Sequence, residues 1–232
     1  MEALLRQGLA AMGLPETAAP GLADYAGRML RQNEVMNLTA ITDPAAVAQL
    51  HLLDSAAVAR HIDLAGKRVV DVGTGAGLPG MVLRILNPDF DLTLLDSLGK
   101  RVDWLTSVCR DMGLSRVDCV HARAEEFAGD HRESYDVAVS RAVAQLNVLC
   151  ELMLPLVKVG GVMVAMKSVG SDQEIAAARG AIGQLGGRVR TWVDYPIPGT
   201  DVTHRLVIVD KVKPTPQQFP RPFAKIKKQP LR

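Results

Sequence analysis

The chain has 232 residues, 48% apolar and only 4% aromatic, with a formal net charge of +2. A chain of that size buries roughly 70% of its unfolded surface in one core, which sets the expectation at one domain of about 200 residues with terminal additions. No apolar run is long enough to span a bilayer and the first residues lack a basic-then-apolar export pattern, so a membrane protein is not expected and a cytoplasmic one is. Three cysteines, Cys109, Cys119 and Cys150, are odd in number and unclustered, which argues against both a disulfide framework and a metal site.

Apolar residues recur at helical spacing at Leu5, Leu9 and Met12, and again at Leu22, Tyr25, Met29 and Leu30. Asn37-Leu38-Thr39-Ala40-Ile41-Thr42 interrupts them. Asp43-Pro44 then reads as an N-cap followed by proline at the first helical position, opening a helix to Ile62. Val47, Leu50 and Val58 face inward on it, while His51, Asp54 and Ser55 share a second face at i, i+3 and i+4. Residues 1–62 are therefore expected to form a small N-terminal helical extension, 63–210 a core, and 211–232 a tail.

From Lys67 onward strands alternate with helices. Strands are expected at 68–72, 92–96, 117–121, 135–140, 161–167, 188–194 and 204–210, and helices near 79–86, 99–112, 144–156 and 172–185. Such alternation predicts parallel strands joined by right-handed crossovers. Only a short turn-rich link around Tyr195-Pro196-Ile197-Pro198-Gly199-Thr200 separates the last two strands, so they are expected to be antiparallel neighbours. The fold class is thus α/β, a Rossmann-like seven-stranded sheet closed by one antiparallel hairpin. That arrangement belongs to methyltransferases using S-adenosyl-L-methionine (SAM), and dinucleotide folds lack it.

The first strand runs into Val69-Val70-Asp71-Val72-Gly73-Thr74-Gly75-Ala76-Gly77-Leu78-Pro79-Gly80. Glycines 73, 75 and 77 let the backbone press against a nucleotide-like ligand. Asp96, at the end of the second strand and 25 residues after Asp71, is placed to accept ribose hydroxyls or to cap the following helix. Residues 75–80 also satisfy G-x-G-x-x-G, which keeps an NAD-dependent oxidoreductase open as an alternative. Asp71 favours SAM, because a carboxylate there can engage the amino-acid end of that cofactor, directly or through water, but would repel a pyrophosphate.

The fourth strand ends on Ser140-Arg141-Ala142, without the Asn/Asp-Pro-Pro-aromatic motif of exocyclic-amine enzymes. None of the cysteines sits at a strand end, as a pyrimidine C5 methyltransferase requires. An acceptor that is already nucleophilic, such as guanine N7, remains attractive, since it needs alignment rather than a general base. The tail adds a second pointer: Lys211, Lys213, Arg221, Lys225, Lys227, Lys228 and Arg232 face no acidic residue between 211 and 232, leaving 20 basic against 25 acidic residues elsewhere. A basic tail on an acidic body suits nucleic-acid phosphates, the alternative being a solvated tail. With five of the chain's 13 prolines in it, an extended rather than helical conformation is expected.

Taken together, Asn37 to Ile41, His51-Leu52-Leu53-Asp54-Ser55, Asp71 to Gly80, Leu94-Leu95-Asp96-Ser97, Lys100-Arg101, Ala124-Glu125 and Ser140-Arg141-Ala142 make the chain resemble the ribosomal RNA small subunit methyltransferase G (GidB/RsmG) family over essentially its whole length. The resemblance implies SAM-dependent formation of 7-methylguanosine in 16S rRNA of the small ribosomal subunit, at guanine 527 of the 530 loop, with S-adenosyl-L-homocysteine as product. A SAM-binding ribosome-assembly factor without turnover is the alternative of another class.

By position, the resemblance implies Gly73 and Leu78 in the cofactor loop, to which the glycine pattern itself adds Gly75 and Asp71, with Asp96 at the ribose, Ala124 and Glu125 at the adenine, and Arg141 at the methionine carboxylate or an RNA phosphate. Glu125 also suits a helix N-terminus. No catalytic residue is assigned; Arg141, Ser140 and His51 are positioning candidates. Expected RNA contacts are Lys100, Arg101, Arg123, Lys167, Arg221, Lys225, Lys227 and Lys228, with His51 and Asp54 also candidates for the RNA side. Ser168 after Lys167 and Pro222-Phe223-Ala224 in the tail stand where the family usually carries glycine or a glycine-bearing stretch. A monomer is expected.

Overall fold

The computed structural model describes residues 1–141 and 143–232; Ala142, the last residue of the Ser140-Arg141-Ala142 motif, lies outside the described residues. Two helices open the chain, α1 (Glu2–Ala11) and α2 (Ala19–Met36). The second ends where Asn37 turns left-handed at φ 52 and donates its N–H to the Asn33 carbonyl. Asp43 then caps the next helical run, its Oδ1 accepting from the Ala46 N–H at 2.8 Å.

The single helix expected from Asp43 to Ile62 is a continuous run of three pieces: α3 (Pro44–Val47), a π-helical stretch (Ala48–Leu53) and α4 (Asp54–His61). The wider π turns bury His51, Leu52 and Leu53 together, and Asp54 and Ser55 follow them into the interior.

The core alternates as expected: β1 (Arg68–Val72), α5 (Gly80–Leu86), β2 (Asp91–Asp96), α6 (Gly99–Asp111), β3 (Val117–His121), α7 (Ala124–Asp130), β4 (Tyr135–Arg141), α8 (Leu146–Met153), β5 (Val157–Ser168), α9 (Asp172–Gln184), β6 (Gly187–Pro196) and β7 (Thr203–Lys211). Helix α7 is an addition to the sequence expectation. The sheet order is β3-β2-β1-β4-β5-β7-β6. β7 lies between β5 and β6 and is antiparallel to both, so it is the one reversed strand.

Both faces of the sheet are covered, and the period-two alternation divides them. Val69, Leu92, Leu94, Val137 and Val139 face a core shared with α1, α2, α4, α5 and α6. Val70, Val72, Leu95 and Ala138 face the opposite core with α7, α8 and α9. The strand order reverses between β1 and β4, and the carboxyl ends of those strands are where a sheet of this type leaves a ligand crevice.

The tail departs from its expected extended form. It ends in a short helix, α10 (Phe223–Lys228), which buries Ile226 against Val148 and Leu152 of α8. Spacing decides this: Phe223 and Ile226 are three residues apart and reach the same apolar face only in a helix. Two tail cations are consumed internally. Lys211 is buried and donates to the carbonyls of Leu154 and Val157 at 2.6 and 2.9 Å, with Glu133 at 3.1 Å. Arg221, an expected RNA contact, instead grips the buried Glu151 through Nε and Nη2 at 2.8 and 2.6 Å. Five tail cations remain for phosphates, so the limiting log-log salt slope on single-stranded RNA is about −3.5, where all seven would give about −5.

Breaking a buried ion pair from one side leaves the other charge uncompensated. Glu151→Ala is therefore expected to lower the unfolding free energy by about 3 kcal/mol in urea denaturation and to speed tryptic cleavage at Lys225, Lys227 and Lys228. A cleavage rate equal to wild type would show that other contacts hold the tail.

Candidate active site

The loop after β1 is built around one carboxylate. Asp71 is fully buried, and its Oδ2 accepts from Thr74 Oγ1 at 2.6 Å and from the Gly80 N–H at 2.8 Å, tying strand, loop and α5 together. Burial pushes the Asp71 carboxyl up to about 6, against the opposing effects of those two hydrogen bonds and of the Arg141 charge. Its Oδ1 is buried without a hydrogen bond. The sequence places Asp71 at the amino-acid end of a cofactor, directly or through water; in the structure its side chain lies beneath the loop and does not line the cleft, which leaves no direct contact from the side chain.

The glycines have separate reasons. Gly73, Gly75 and Gly77 all sit at positive φ, 71, 59 and 79°. A Cβ on Gly73 would come within 2.6 Å of Val143 Cγ2 and fill the cleft, while one on Gly77 would meet Met81 Cγ at 2.6 Å and the Tyr25 hydroxyl below the loop. That hydroxyl donates to the Ala76 carbonyl, bracing the loop from α2.

Above the loop lies a cleft of about 400 Å³. Gly73, Gly75 and Leu78 form its floor, Asp96 and Arg101 one side, and His51 and Arg141 the other. Leu38 and Thr39, from the segment that breaks the N-terminal helices, complete it. Those two escaped assignment as site residues. Their signal was the non-helical Asn37–Thr42 stretch, which needed a reason to exist between two helices.

Asp96 is held by its own surroundings: Oδ2 accepts from the Gly75 N–H at 2.8 Å and Oδ1 from the Leu98 N–H at 2.9 Å. It therefore fixes the loop and the start of α6 at once, and each oxygen keeps a further lone pair for a ligand hydroxyl. A smaller slot of about 150 Å³ continues past Asp96 and Gly73 to Ala124 and Glu125, which open α7. Glu125 occupies the first turn of that helix and the slot wall together.

Arg141 is positioned by a buried hub. Its Nη1 donates to Asp54 Oδ2 and to the Leu50 carbonyl, each at 3.1 Å. Asp54 Oδ1 in turn accepts from the Tyr195 hydroxyl at 2.7 Å and pairs with His204 Nδ1 at 2.8 Å. Burial alone would raise the Asp54 carboxyl, but the His204 and Tyr195 hydrogen bonds and the Arg141 charge together bring it below its ordinary value. Asp54 thus does not face RNA; it is 2% exposed and anchors the arginine that lines the cleft.

His51 packs beside that hub, with Nε2 at 2.7 Å from Thr39 Oγ1 and Nδ1 at 3.2 Å from the Leu50 carbonyl. Burial, then the neighbouring Arg141 charge, lowers its pKa to about 4, so the ring is neutral at physiological pH. Ser140 is the third positioning candidate, and here too the expectation changes. It is fully buried, donates to the Val72 carbonyl at 2.7 Å, and pins β4 to β1 away from the cleft.

The expected RNA contacts divide. Lys100 and Arg123 are exposed at the starts of α6 and α7, and Lys225, Lys227 and Lys228 are exposed on α10. Arg101 leans over the cleft, 3.7 Å from Asp96 Oδ2. Lys167, like Arg221, is spent inside: its Nζ donates to Glu174 and to the Ala144 carbonyl, each at 2.6 Å. Cys109 and Cys150 are buried and Cys119 is half-buried. Among the described residues no cluster of metal-ligating side chains occurs, and no helix is long and apolar enough to cross a membrane.

A family model for the rRNA small subunit methyltransferase G matches residues 19–194. The chain belongs to this family. Methyltransferase G relatives extend the match to the termini: one from Alkaliphilus oremlandii is 42% identical over 99% of this chain and 98% of its own length. Another, from Clostridium perfringens, is 42% identical over 90% of this chain and 88% of its own. Solved structures at low identity share the fold. YcgJ from Bacillus subtilis superposes with a TM-score of 0.55 at 14% identity, covering 69% of this chain and 98% of that one. TYW2 from M. jannaschii, solved in complex with AdoMet, gives 0.51 at 13% identity, covering 64% of this chain and 69% of that one.

In this member of the methyltransferase G family, the hub makes a pH-dependent contribution through His204. Its hydrogen bond to Asp54 raises the His204 pKa, against partial burial. A raised histidine pKa gives stability that is complete below its unfolded value near 6.5 and lost as pH rises through the folded value. Thermal denaturation across pH 6 to 9 is expected to show that loss in wild type and its absence in His204→Gln. Parallel profiles would remove His204 from the hub's energetics.

Proposed function

We propose that this chain transfers a methyl group from SAM to N7 of guanine 527, in the 530 loop of 16S rRNA, acting as a cytoplasmic monomer on the small ribosomal subunit. One observation carries the reading. In a chain of the methyltransferase G family, the glycine loop, Asp96 and Arg141 meet around one cleft at the carboxyl ends of β1, β2 and β4. The reversed β7 strand argues against an NAD-dependent oxidoreductase, whose fold lacks it.

The donor set suits a cofactor carrying a positive centre and a ribose. Gly73 keeps the floor free of a Cβ, and Asp96 offers a fixed carboxylate to ribose hydroxyls. Asp71 and Asp96 place two carboxyl groups near one loop, a field favourable to a cation. Arg141, anchored by Asp54, is available to a carboxylate or phosphate through the donors its anchor leaves unused.

When bound, SAM supplies an electrophilic methyl group on a sulfonium. Guanine N7 brings its own lone pair. Transfer of that methyl group to N7 would leave the sulfur uncharged and would require the protein neither to take up nor to release a proton. The protein is therefore asked for alignment and a suitable field rather than a general base. Neutral His51 fits that demand, because it adds no cation beside a purine that is gaining positive charge.

The deciding experiment uses labelled SAM with small subunits from cells lacking this activity, followed by mass spectrometry of the 16S rRNA. 7-Methylguanosine at the 530 loop is the expected product. SAM binding without transfer would leave an assembly factor instead, and binding of NADH but not SAM would leave an oxidoreductase.

Arg141→Ala is expected to lower kcat/KM by about 50-fold, the scale of one lost charge-assisted hydrogen bond in a buried site. Asp54 keeps its Tyr195 and His204 partners in that variant, so its melting temperature should fall less than that of Asp54→Ala, which strands both. Equal rates in Arg141→Ala and wild type would reject the role.

Asp71 generates a separate expectation. A bound sulfonium favours its carboxylate, so SAM affinity should fall as pH drops from 7 to 5 while the uncharged sulfur of S-adenosyl-L-homocysteine responds less. Calorimetric titration of both ligands checks this; parallel profiles would show that Asp71 does not sense the cofactor charge.

A further inference from the structure

Gly73, Asp96, Ser97 and Val143 line both the large cleft and the smaller slot, so the two form one elongated trough. Its far end is closed from an unexpected direction. Besides Glu125 on α7 and Leu152 on α8, the wall includes Phe223, the first residue of the C-terminal helix α10. The tail, read from sequence as a phosphate-binding appendage, therefore reaches the place where Ala124 and Glu125 lie.

The placement is fixed by contacts on either side of Phe223 in the chain. Two residues upstream, Arg221 holds Glu151. Three residues downstream, Ile226 is fully buried against Val148 and Leu152, and Phe223 packs against the same cluster while remaining half-buried. The ring is held in place but not fully enclosed. Val72, Leu95, Val143 and Leu152 supply further apolar walls, with Glu125 as a carboxylate at the rim. An apolar slot with one aromatic wall and one acceptor matches a purine with an exocyclic amine. On the same six-residue helix, Lys225, Lys227 and Lys228 are exposed, and exposed Arg123 lines the slot as well.

We propose that Phe223 is a wall of the adenine subsite, so that α10 couples cofactor binding to the binding of rRNA phosphates by Lys225, Lys227 and Lys228. The inference rests on the methyltransferase reading of the cleft. A purine in the slot covers the exposed part of Phe223 and holds α10 docked. The lysines that follow Phe223 are placed by the same docking, so a ligand that adds to the stability of the docked helix favours the other ligand as well. Linkage makes the effect reciprocal: each ligand tightens the other by the same factor.

The test measures S-adenosyl-L-homocysteine affinity by calorimetry for the full chain, alone and with saturating unmethylated small subunits, so that no turnover intervenes. Wild type should bind about 5-fold more tightly with subunits present. Phe223→Ala should weaken binding to the free protein about 10-fold, the scale of one lost base–aromatic stack, and weaken adenosine binding by the same factor. Phe223→Leu keeps the apolar contact with Ile226 and should retain the wild-type melting temperature while losing most of that affinity. Lys225→Gln/Lys227→Gln/Lys228→Gln should leave free-protein affinity unchanged and abolish the subunit effect.

Wild-type affinity in both Phe223 variants would overturn the adenine wall. Weakened binding in those variants, with the same subunit effect in every protein, would overturn the coupling. A wild-type chain that binds neither SAM nor its product overturns the cleft reading itself and is distinguishable from both.

Discussion

The whole site hangs from the Asp71 carboxylate. One oxygen holds the loop hydroxyl of Thr74 and the first N–H of α5, and the side chain has no access to solvent. Because Asp71 is paired in register with Leu94 on β2 and Val139 on β4, it converts the geometry of three strands into the position of the loop. Its second oxygen lacks a partner, and burial lifts its pKa to about 6. A buried, under-satisfied carboxyl costs stability. Near a cleft proposed to receive a cation, the same feature becomes a source of attraction not compensated inside the protein.

A second constraint joins parts of the chain that no local rule connects. Asp54 belongs to the N-terminal helical run, Tyr195 ends β6 and His204 begins β7, and all converge on one carboxylate beside Arg141 of β4. The reversed strand earns its place here. Were β7 parallel to its neighbours, its first residues would lie at the opposite edge of the sheet, far from the cleft. Reversal brings His204, paired with Ser168 of β5 and Tyr195 of β6, to the carboxyl ends of the parallel strands.

Much of this was legible because it is local. The strands from Arg68 to Val72 and from Asp91 to Asp96 announce themselves by short, mostly apolar segments rich in Val and Leu, and the glycine loop by its spacing. What sequence could not supply were pairings across distance: Asp54 with Tyr195 is separated by 141 positions and with His204 by 150. Charge counting failed for a related reason. It treats every lysine as solvated, yet Lys211 finds two carbonyls, a threonine hydroxyl and Glu133 in the interior. Proline content misled as well, because Pro222 stands just before α10, where its missing N–H costs nothing.

Charge is sorted by depth across the proposed site. Asp71 and Asp96 lie lowest and are buried, Arg141 and Arg101 sit at cleft level beside carboxylates, and Lys100, Arg123 and the α10 lysines are exposed above. A polyanion approaching from solvent can reach Lys100, Arg123 and the α10 lysines, while Asp71 and Asp96 are buried beneath Arg141 and Arg101. A small cation that penetrates the cleft meets the reverse. One protein can thus hold two partners of opposite charge without either displacing the other, provided the boundary between the layers stays closed. Val143 and Phe223 stand on that boundary, and both are apolar. Arg123 and Glu125 line the same slot, so each partner finds a countercharge beside the apolar walls.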